Sequence, residues 1–535
     1  MSTREWWSRI GGPLLIGLLF AAIIALYSDF VPYTDAEVYA GCISDAVQKP
    51  FDLLNFRCVG HASIAYLLVL GLAQRLSPWT VSLAYAANAF LGAASIMAFH
   101  GLIRRLLPDR PSVEYGLVTA LYAFMPVFVV HAIFLNMDYG VTAFFVLFLY
   151  FLVAGRFWLA GVFAVATMFS KEVGAAGYAA AVGAYVAFVL GAGLPRPERL
   201  ERLRLAAPLV VAPLTLAAYL VDAQMLSPGA SWLSAYLPLG VVPDRLDAFL
   251  TVTPANPGIR SFLADIFILN YQWLYTAIVI AAALREFVRR TKGRRENPTA
   301  PGVALFLSLM LGSLVYAVSR YRDFNNVRYG LIVSPVLIAL FYQALISVFR
   351  SQRHRQWFLG VTALLVFLSN FRTIDVVSKG VFGTFPFGSH ALLDMPSIIG
   401  GPKLDCLVYN LESLEFGYLL RDMMRDVRPP PGAVFFIGNP TYFFPPKVDA
   451  RSYALTRDPS HALPLSILYR AADASQDALR QHLGGADRFF YMAFPNVDND
   501  LLQLLRKDYA LVREKRYERS GYAFDLYTFG FRSTS

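Results

Sequence analysis

Charge is scarce in this chain. Asp, Glu, Lys and Arg make up 16% of its 535 residues, whereas 56% are hydrophobic. That balance excludes an ordinary soluble globular protein. Cysteine is scarce too: Cys42, Cys58 and Cys406 are too few for a disulfide framework. The first two share one early hydrophilic loop, where either a bridge or two free thiols fits the sequence. In an oxidising compartment a bridge would stabilise that loop by roughly 3 kcal/mol. The chain shows no internal repeat. Its first apolar run, Ile10 to Tyr27, lacks a small-residue cleavage site and is therefore expected to stay as a membrane anchor.

What the sequence has in abundance is apolar stretches long enough to cross a hydrocarbon core of about 30 Å. They recur through the first two thirds and stop near Arg372. The expected spans are 10–28, 80–103, 114–133, 140–155, 157–170, 174–194, 205–222, 266–284, 301–319, 329–349 and 357–371. "HASIAYLLVLGLAQRL", from His61 to Leu76, is short for a crossing and ends on an arginine side, which suits an interfacial or re-entrant helix.

The basic runs settle the parity. If 61–76 does not cross, "RRLLPDR", "PRPERLERLR", "REFVRRTKGRR" and "RSQRHR" all share a side with Arg4 and Arg9. Roughly nineteen Lys and Arg then face the cytoplasm against about nine outside, as the positive-inside rule requires. The net charge of +10 thus reflects topology, and no nucleic-acid partner is expected. The expected architecture is an α-helical polytopic membrane protein of about eleven crossings with its N-terminus cytoplasmic. The loop 29–79 and everything after 371 would lie outside. Residues 372–535 alternate short apolar runs ("GAVFFIGNP", "RFFYMAFP", "YAFDLYTFGF") with helical patterns ("SLEFGYLLRDMMRDV", "NDLLQLLRKD"), the signature of a small soluble α/β domain.

The middles of the apolar runs are nearly free of ionisable residues, so no ion path through the membrane is expected. Charges gather instead at the outer ends: Asp35 and Glu37 in "YTDAEVYA", Asp138 in "FLNMDYG", Lys171 and Glu172 in "FSKEVG", and Arg320, Arg322 and Arg328 in "SRYRDFNNVRYG". Carboxylates and cations on one face suit a reaction with a phosphate leaving group. One carboxylate can take the proton of a hydroxyl or amine nucleophile while Lys and Arg stabilise the departing phosphate oxygens. Each residue also has a plainer role. Asp138 suits a helix N-cap, Lys171 could snorkel and pair with Glu172, and Arg328 could anchor an interface. Asp35 and Glu37 could be solvated loop charges, and His61 and His131 satisfied polar groups.

At these residues the sequence resembles the GT-C glycosyltransferases, in the branch of protein O-mannosyltransferases and aminoarabinose transferases. The order matches: a first helix, an outer loop with "TDAEVY", an interfacial segment introduced by His61, and an outer aspartate in "NMDYG". "GVFAVATMFSKE" is similar to the small-residue helix that ends at the family lysine, and "NVRYGLIVSPVLIALF" to its Arg-Tyr motif followed by an apolar helix. There are departures: Ala36 separates Asp35 from Glu37, Ala62 stands where a proline is usual, and Ser170 replaces a threonine.

The resemblance implies transfer of one sugar, with inversion, from a polyprenyl-phosphate donor to a lipid, glycan or protein acceptor outside the cytoplasm of a bacterial inner membrane. It implies Asp35 or Glu37 as base, Asp138 as acceptor-orienting or metal-holding carboxylate, and Lys171, Arg328 and Tyr329 as the phosphate site. His61, Arg320 and Arg322 are further candidates, and a divalent metal is a candidate cofactor. Competing readings are a transporter or flippase, for which repeat symmetry and midplane polar groups are missing, an oligosaccharide ligase, and a non-catalytic scaffold.

Overall fold

A computed structural model describes residues 10–27, 49–58, 63–76, 81–191, 195–226, 266–292, 301–319, 327–371, 375–382, 488–493, 500–520 and 522–531, with shorter pieces between 39 and 47, at 263, and between 386 and 467. A helix, whole or broken, covers each of the expected spans. In chain order they are α1 (Gly12–Leu26), α2 (Ile64–Leu76), α3 (Val81–Leu106), α4 (Ser112–Ala123), α5 (Pro126–Ile133), α6 (Met137–Val153), α7 (Phe157–Met168), α8 (Glu172–Gly191), α9 (Arg196–Leu205), α10 (Val211–Leu226), α11 (Gln272–Thr291), α12 (Pro301–Ser319), α13 (Ser334–Val348) and α14 (Gln352–Ser369).

Among the described residues three helices are long and apolar enough to cross a membrane by themselves. The number is five if each of two bent pairs is one span. One bent pair is α4 and α5, which the sequence presents as a single run, 114–133; it turns by 52°. Pro126 is the reason. It cannot donate to the preceding turn, and it pushes Met125 into extended backbone (φ −62°, ψ 126°). The carbonyl of Phe124, left open by the break, accepts from Asn370 Nδ2 at 2.8 Å.

The core is aromatic and aliphatic, and α6 sits at its centre with both sides covered. Every residue from Met137 to Leu149 is buried. It packs on α3, α7 and α8, and α3 packs in turn on α1 and α2. The outer helices are the reverse. Leu15, Leu18 and Leu19 on α1, Trp158 and Val162 on α7, Leu214 on α10 and Trp357 and Leu364 on α14 are exposed. In water such surfaces would associate, whereas in a bilayer they meet hydrocarbon.

The C-terminal region carries a five-stranded sheet made of β3 (Phe435–Ile437), β4 (Leu465–Ile467), β5 (Arg488–Ala493), β6 (Tyr509–Arg519) and β7 (Tyr522–Phe531), after a two-stranded ribbon, β1 (Pro386–Phe387) with β2 (His390–Ala391). The strand order is β4-β3-β5-β7-β6; β4, β3 and β5 run parallel, and β7 and β6 are added antiparallel. Helix α15 (Asp500–Asp508) covers one face, burying Leu502 and Leu505 against Phe489, Tyr509 and Phe529. Strands fall on all three apolar runs singled out in the sequence. Strand β6, "YALVREKRYER", was not legible because it is mostly exposed and charged, as suits a sheet edge.

Candidate functional site

The stretch "FLNMDYG" joins α5 to α6. Helix α5 stops at Ile133, and Leu135 takes left-handed backbone (φ 51°), which lets the amide of Asn136 return to the His131 carbonyl at 3.1 Å. For a residue with a Cβ that conformation costs about 1 kcal/mol, and the buried Leu135 side chain offsets it. Asn136, not Asp138, then caps α6: its side chain accepts from the amide of Asp138 at 2.9 Å. Asp138 is thereby free of capping duty, and its carboxylate points elsewhere.

It points at Lys171. The Lys171 Nζ lies 2.9 Å from Asp138 Oδ1 and 2.8 Å from Oδ2, and the two side chains are 7% and 3% exposed. Arg328 joins from the short 3-10 helix Val327–Val333 that precedes α13, with Nε 3.4 Å from Asp138 Oδ2. Tyr329 lies beneath both cations, its ring centroid 4.6 Å from Lys171 Nζ and 5.5 Å from Arg328 Cζ. Three segments scattered along the sequence thus converge, with two cations held on one carboxylate.

Local sequence explains how Lys171 reaches this point. Helix α7 ends at Met168, and the chain reverses through Phe169, Ser170 and Lys171 into α8. The turn closes because Gly174 has no side chain: a Cβ there would overlap the carbonyl of Thr167. The Phe169 carbonyl accepts from the amide of Ala65, pinning this turn to the start of α2 at 3.0 Å.

Helix α2 forms the adjoining wall. Tyr66 is buried over Gly140, where a Cβ would collide with its ring, and Tyr66 Oη donates to Asn88 Oδ1 at 2.9 Å. Tyr139 Oη donates to the Asn88 carbonyl at 2.8 Å. One buried asparagine on α3 therefore ties α2 and α6 together beside Asp138. A disulfide between Cys42 and Cys58 decides the alternative the sequence left open, closing a 16-residue separation in the first loop. Arg75 secures the same loop by donating to the carbonyls of Ala46 and Lys49. Arg57 lies 4.8 Å from the ring of Tyr219, which packs edge-on against Phe169, so a further cation borders the wall next to Lys171.

Of the expected site residues, the structure brings together Asp138, Lys171, Arg328 and Tyr329. Asp35, Glu37, His61, Arg320 and Arg322 lie outside the described residues. The sequence reading missed Asn136, Tyr66, Asn88 and Arg57. Only the adjacency of Asn136 to Asp138 gave any sign, since Asn is a favoured cap. Among the described residues no three His, Cys, Asp or Glu side chains converge. Both oxygens of Asp138 already face the Lys171 ammonium, and the described part of the site does not form a metal cage. What it does form is a cluster of two cations, the buried Lys171 and the largely buried Arg328, facing the Asp138 carboxylate, with the buried Glu172 next to Lys171 in the chain.

This helical frame is a fold shared with solved structures of a membrane-bound lipid-phosphate-binding protein, ArnT. In particular, the chain matches the crystal structure of ArnT from Cupriavidus metallidurans in the apo state over 98% of both chains, with a TM-score of 0.57 and 14% identity. The same protein bound to undecaprenyl phosphate matches over 98% of both chains, with a TM-score of 0.55 and 12% identity. No family model matches the sequence, and neither does any curated protein.

Proposed function

We propose that this protein is a glycosyltransferase that moves one sugar from a polyprenyl-phosphate donor to an acceptor at the outer face of a bacterial inner membrane, with inversion at the anomeric carbon. The observation that carries this reading is the pair Lys171, buried and hydrogen-bonded to Asp138, and Arg328, largely buried and 3.4 Å from the same carboxylate. In a low-dielectric frame two such cations attract a phosphate strongly. The likeness in fold to a protein crystallised with undecaprenyl phosphate supports the same substrate class. The Cys42–Cys58 bridge supports an oxidising side for the first loop, and with it an extracytoplasmic site.

In this mechanism the acceptor hydroxyl or amine attacks the anomeric carbon from the side opposite the phosphate. Its proton passes to a first-loop carboxylate, for which Asp35 is the first choice and Glu37 the second. The bond from the anomeric carbon to the phosphate oxygen breaks, its electron pair staying on the phosphate. Lys171 and the guanidinium of Arg328 stabilise that developing charge. Direct displacement needs only one base, in contrast to retaining chemistry, which needs a second carboxylate as nucleophile. Asp138 acts through the cations, as a positioning residue. The lipid tail lies along the apolar helices, and the region after 371 lies on the acceptor side.

The test is transfer by the purified full chain from a polyprenyl monophosphate sugar, compared with a polyprenyl diphosphate oligosaccharide. Transfer of a single sugar from the monophosphate, lost in Arg328→Ala and in Asp35→Asn with the fold retained, is the expected result. Preference for the diphosphate would make the protein an oligosaccharide ligase. Full activity in both variants would overturn the site assignment.

A further inference from the structure

Just before α11 the backbone is strained. Asn270 and Tyr271 both take left-handed backbone, with φ of 54° and 64°. Asparagine tolerates that region, but tyrosine does not, and such a residue persists only where its surroundings hold it. Here the holder is Asp375, 104 residues further along the chain and wholly buried. Its Oδ1 accepts from the amide of Ser378 at 2.8 Å, at the start of the short helical segment Ser378–Phe382. Its Oδ2 accepts from the amide of Tyr271 at 3.3 Å. Ser378 Oγ donates to the Ile268 carbonyl at 3.1 Å, and the rings of Trp273 and Phe382 lie 6.3 Å apart. Helix capping accounts for the first oxygen of Asp375. It does not account for the second, which reaches across to the strained tyrosine.

The clamped turn leads to the Asp138 cluster. Ile266 is buried and lies so close over Gly330 that a Cβ there would meet its Cγ1 at 2.8 Å. Gly330 follows Arg328 and Tyr329 in the short 3-10 helix Val327–Val333. Helices α6 and α12 pack on the same segment, but as regular helices they hold their own shape. The turn at 268–271 instead takes its shape from Asp375 and Ser378. We propose that Asp375 is a positioning residue: by fixing this turn it seats Ile266 on Gly330, and so sets where Arg328 stands beside Asp138. The chain leaving α14 for the C-terminal region thereby takes part in shaping the site. The consequence for substrate rests on the reading of Arg328 as a phosphate ligand, whereas the mechanical link from Asp375 to 327–333 does not.

Asp375→Asn tests the clamp apart from the cap. Asparagine caps helices well but has one acceptor oxygen, so one of the two amides loses its partner. In the purified full chain, hydrogen-exchange protection of 327–333 is expected to fall about tenfold in this variant. Undecaprenyl phosphate, used as the probe, is expected to bind about tenfold more weakly. In an Arg328→Ala background the same substitution should change binding by less than about twofold, because residues that act through one contact are not additive. Unchanged protection in 327–333 overturns the link, and an equal loss of binding in both backgrounds overturns the route through Arg328. If the wild type does not bind undecaprenyl phosphate, the substrate reading falls and hydrogen exchange alone decides the link. If Asp375→Asn does not fold, Ser378→Ala, which removes only the bond to Ile268, is put to the same measurements with the same expected directions.

Discussion

Lys171 and Asp138, 33 residues apart in sequence, form a buried pair in which the ammonium nitrogen contacts both carboxylate oxygens, at 2.9 and 2.8 Å. An ion pair sheltered from water must be well matched, because removing one partner strands the other charge. Asp138→Asn therefore disturbs Lys171 and Arg328 together. Transfer from a polyprenyl-phosphate sugar is expected to fall by on the order of a hundredfold, with a rise in KM for the donor. Wild-type kinetics in this variant would remove Asp138 from any role in holding the cations.

Arg328→Lys offers a finer test of the same cluster. It keeps the charge but replaces the guanidinium fork with a point charge on a different stem. An intermediate loss is expected, between wild type and Arg328→Ala, measured as kcat/KM for the donor. Equal losses for Lys and Ala would mean that geometry alone, rather than charge, is what the site requires there.

The Asn136 cap is a separate contribution. Asn136→Ala removes the acceptor for the Asp138 amide at the start of α6 and is expected to cost about 1 kcal/mol in stability. Because that turn also aims the Asp138 carboxylate, activity should fall by more than stability alone explains. The check is kcat/KM measured well below the melting temperature, where the variant is fully folded.

At the other ends of the helices, Glu114 is wholly buried and accepts from Arg355 Nε and Nη2 and from Tyr342 Oη. The same guanidinium donates through Nη1 to the carbonyls of Phe349 and Arg350. This group joins α4 to α13 and α14, with Tyr342 and Arg355 lying 228 and 241 residues after Glu114. Glu114→Gln is expected to destabilise the protein by about 3 kcal/mol. Glu114→Leu with Arg355→Met should recover much of that loss, because no buried charge is then left alone. Thermal melting of the three proteins measures both effects, and a double variant weaker than the single one would contradict this account.

Beside the C-terminal sheet, Asp426 accepts from Lys515 Nζ at 2.8 Å and Arg513 at 3.2 Å, fastening its segment to the edge strand β6. Its carboxyl is held below the ordinary value of 3.8, chiefly by the Lys515 hydrogen bond and then by that from Tyr517. A carboxyl depressed in the folded state stabilises above its unfolded pKa, and that contribution is lost as pH falls through the folded value. The hydrogen-exchange protection factor of β6, referred to the intrinsic rate at each pH, is therefore expected to be unchanged from pH 7 to about 5 and to fall below the ordinary carboxylate range. Asp426→Asn should remove that fall. The contribution is modest, since the group is exposed.

Much of this molecule is legible before folding is considered. Apolar run lengths mark where the helices lie, because a segment without charges has no partner in water. The gathering of Asp138, Lys171 and Arg328 at run ends identifies the residues of the cluster, because charge is tolerated there and not in mid-run. The bend at Pro126 could be read from the missing amide, although 114–133 looks continuous when judged by hydropathy. The disulfide could not, since two cysteines in one loop fit either state. Arg355 reads as one more loop cation of "RSQRHR"; only the approach of α4 makes it the partner of Glu114.

The sequence by itself determined the class of structure, the positions of its helices and the residue types available at their ends, all of which follow from local hydropathy and charge. Tertiary structure alone decided which of these charges meet. Asp138 looks like a helix cap and is not one, because Asn136 takes that place and turns the carboxylate toward Lys171 and Arg328. Pairing across 33 and 190 residues depends on how helices pack, and packing is set by the shapes of side chains such as Tyr66 over Gly140, which no single stretch of sequence contains.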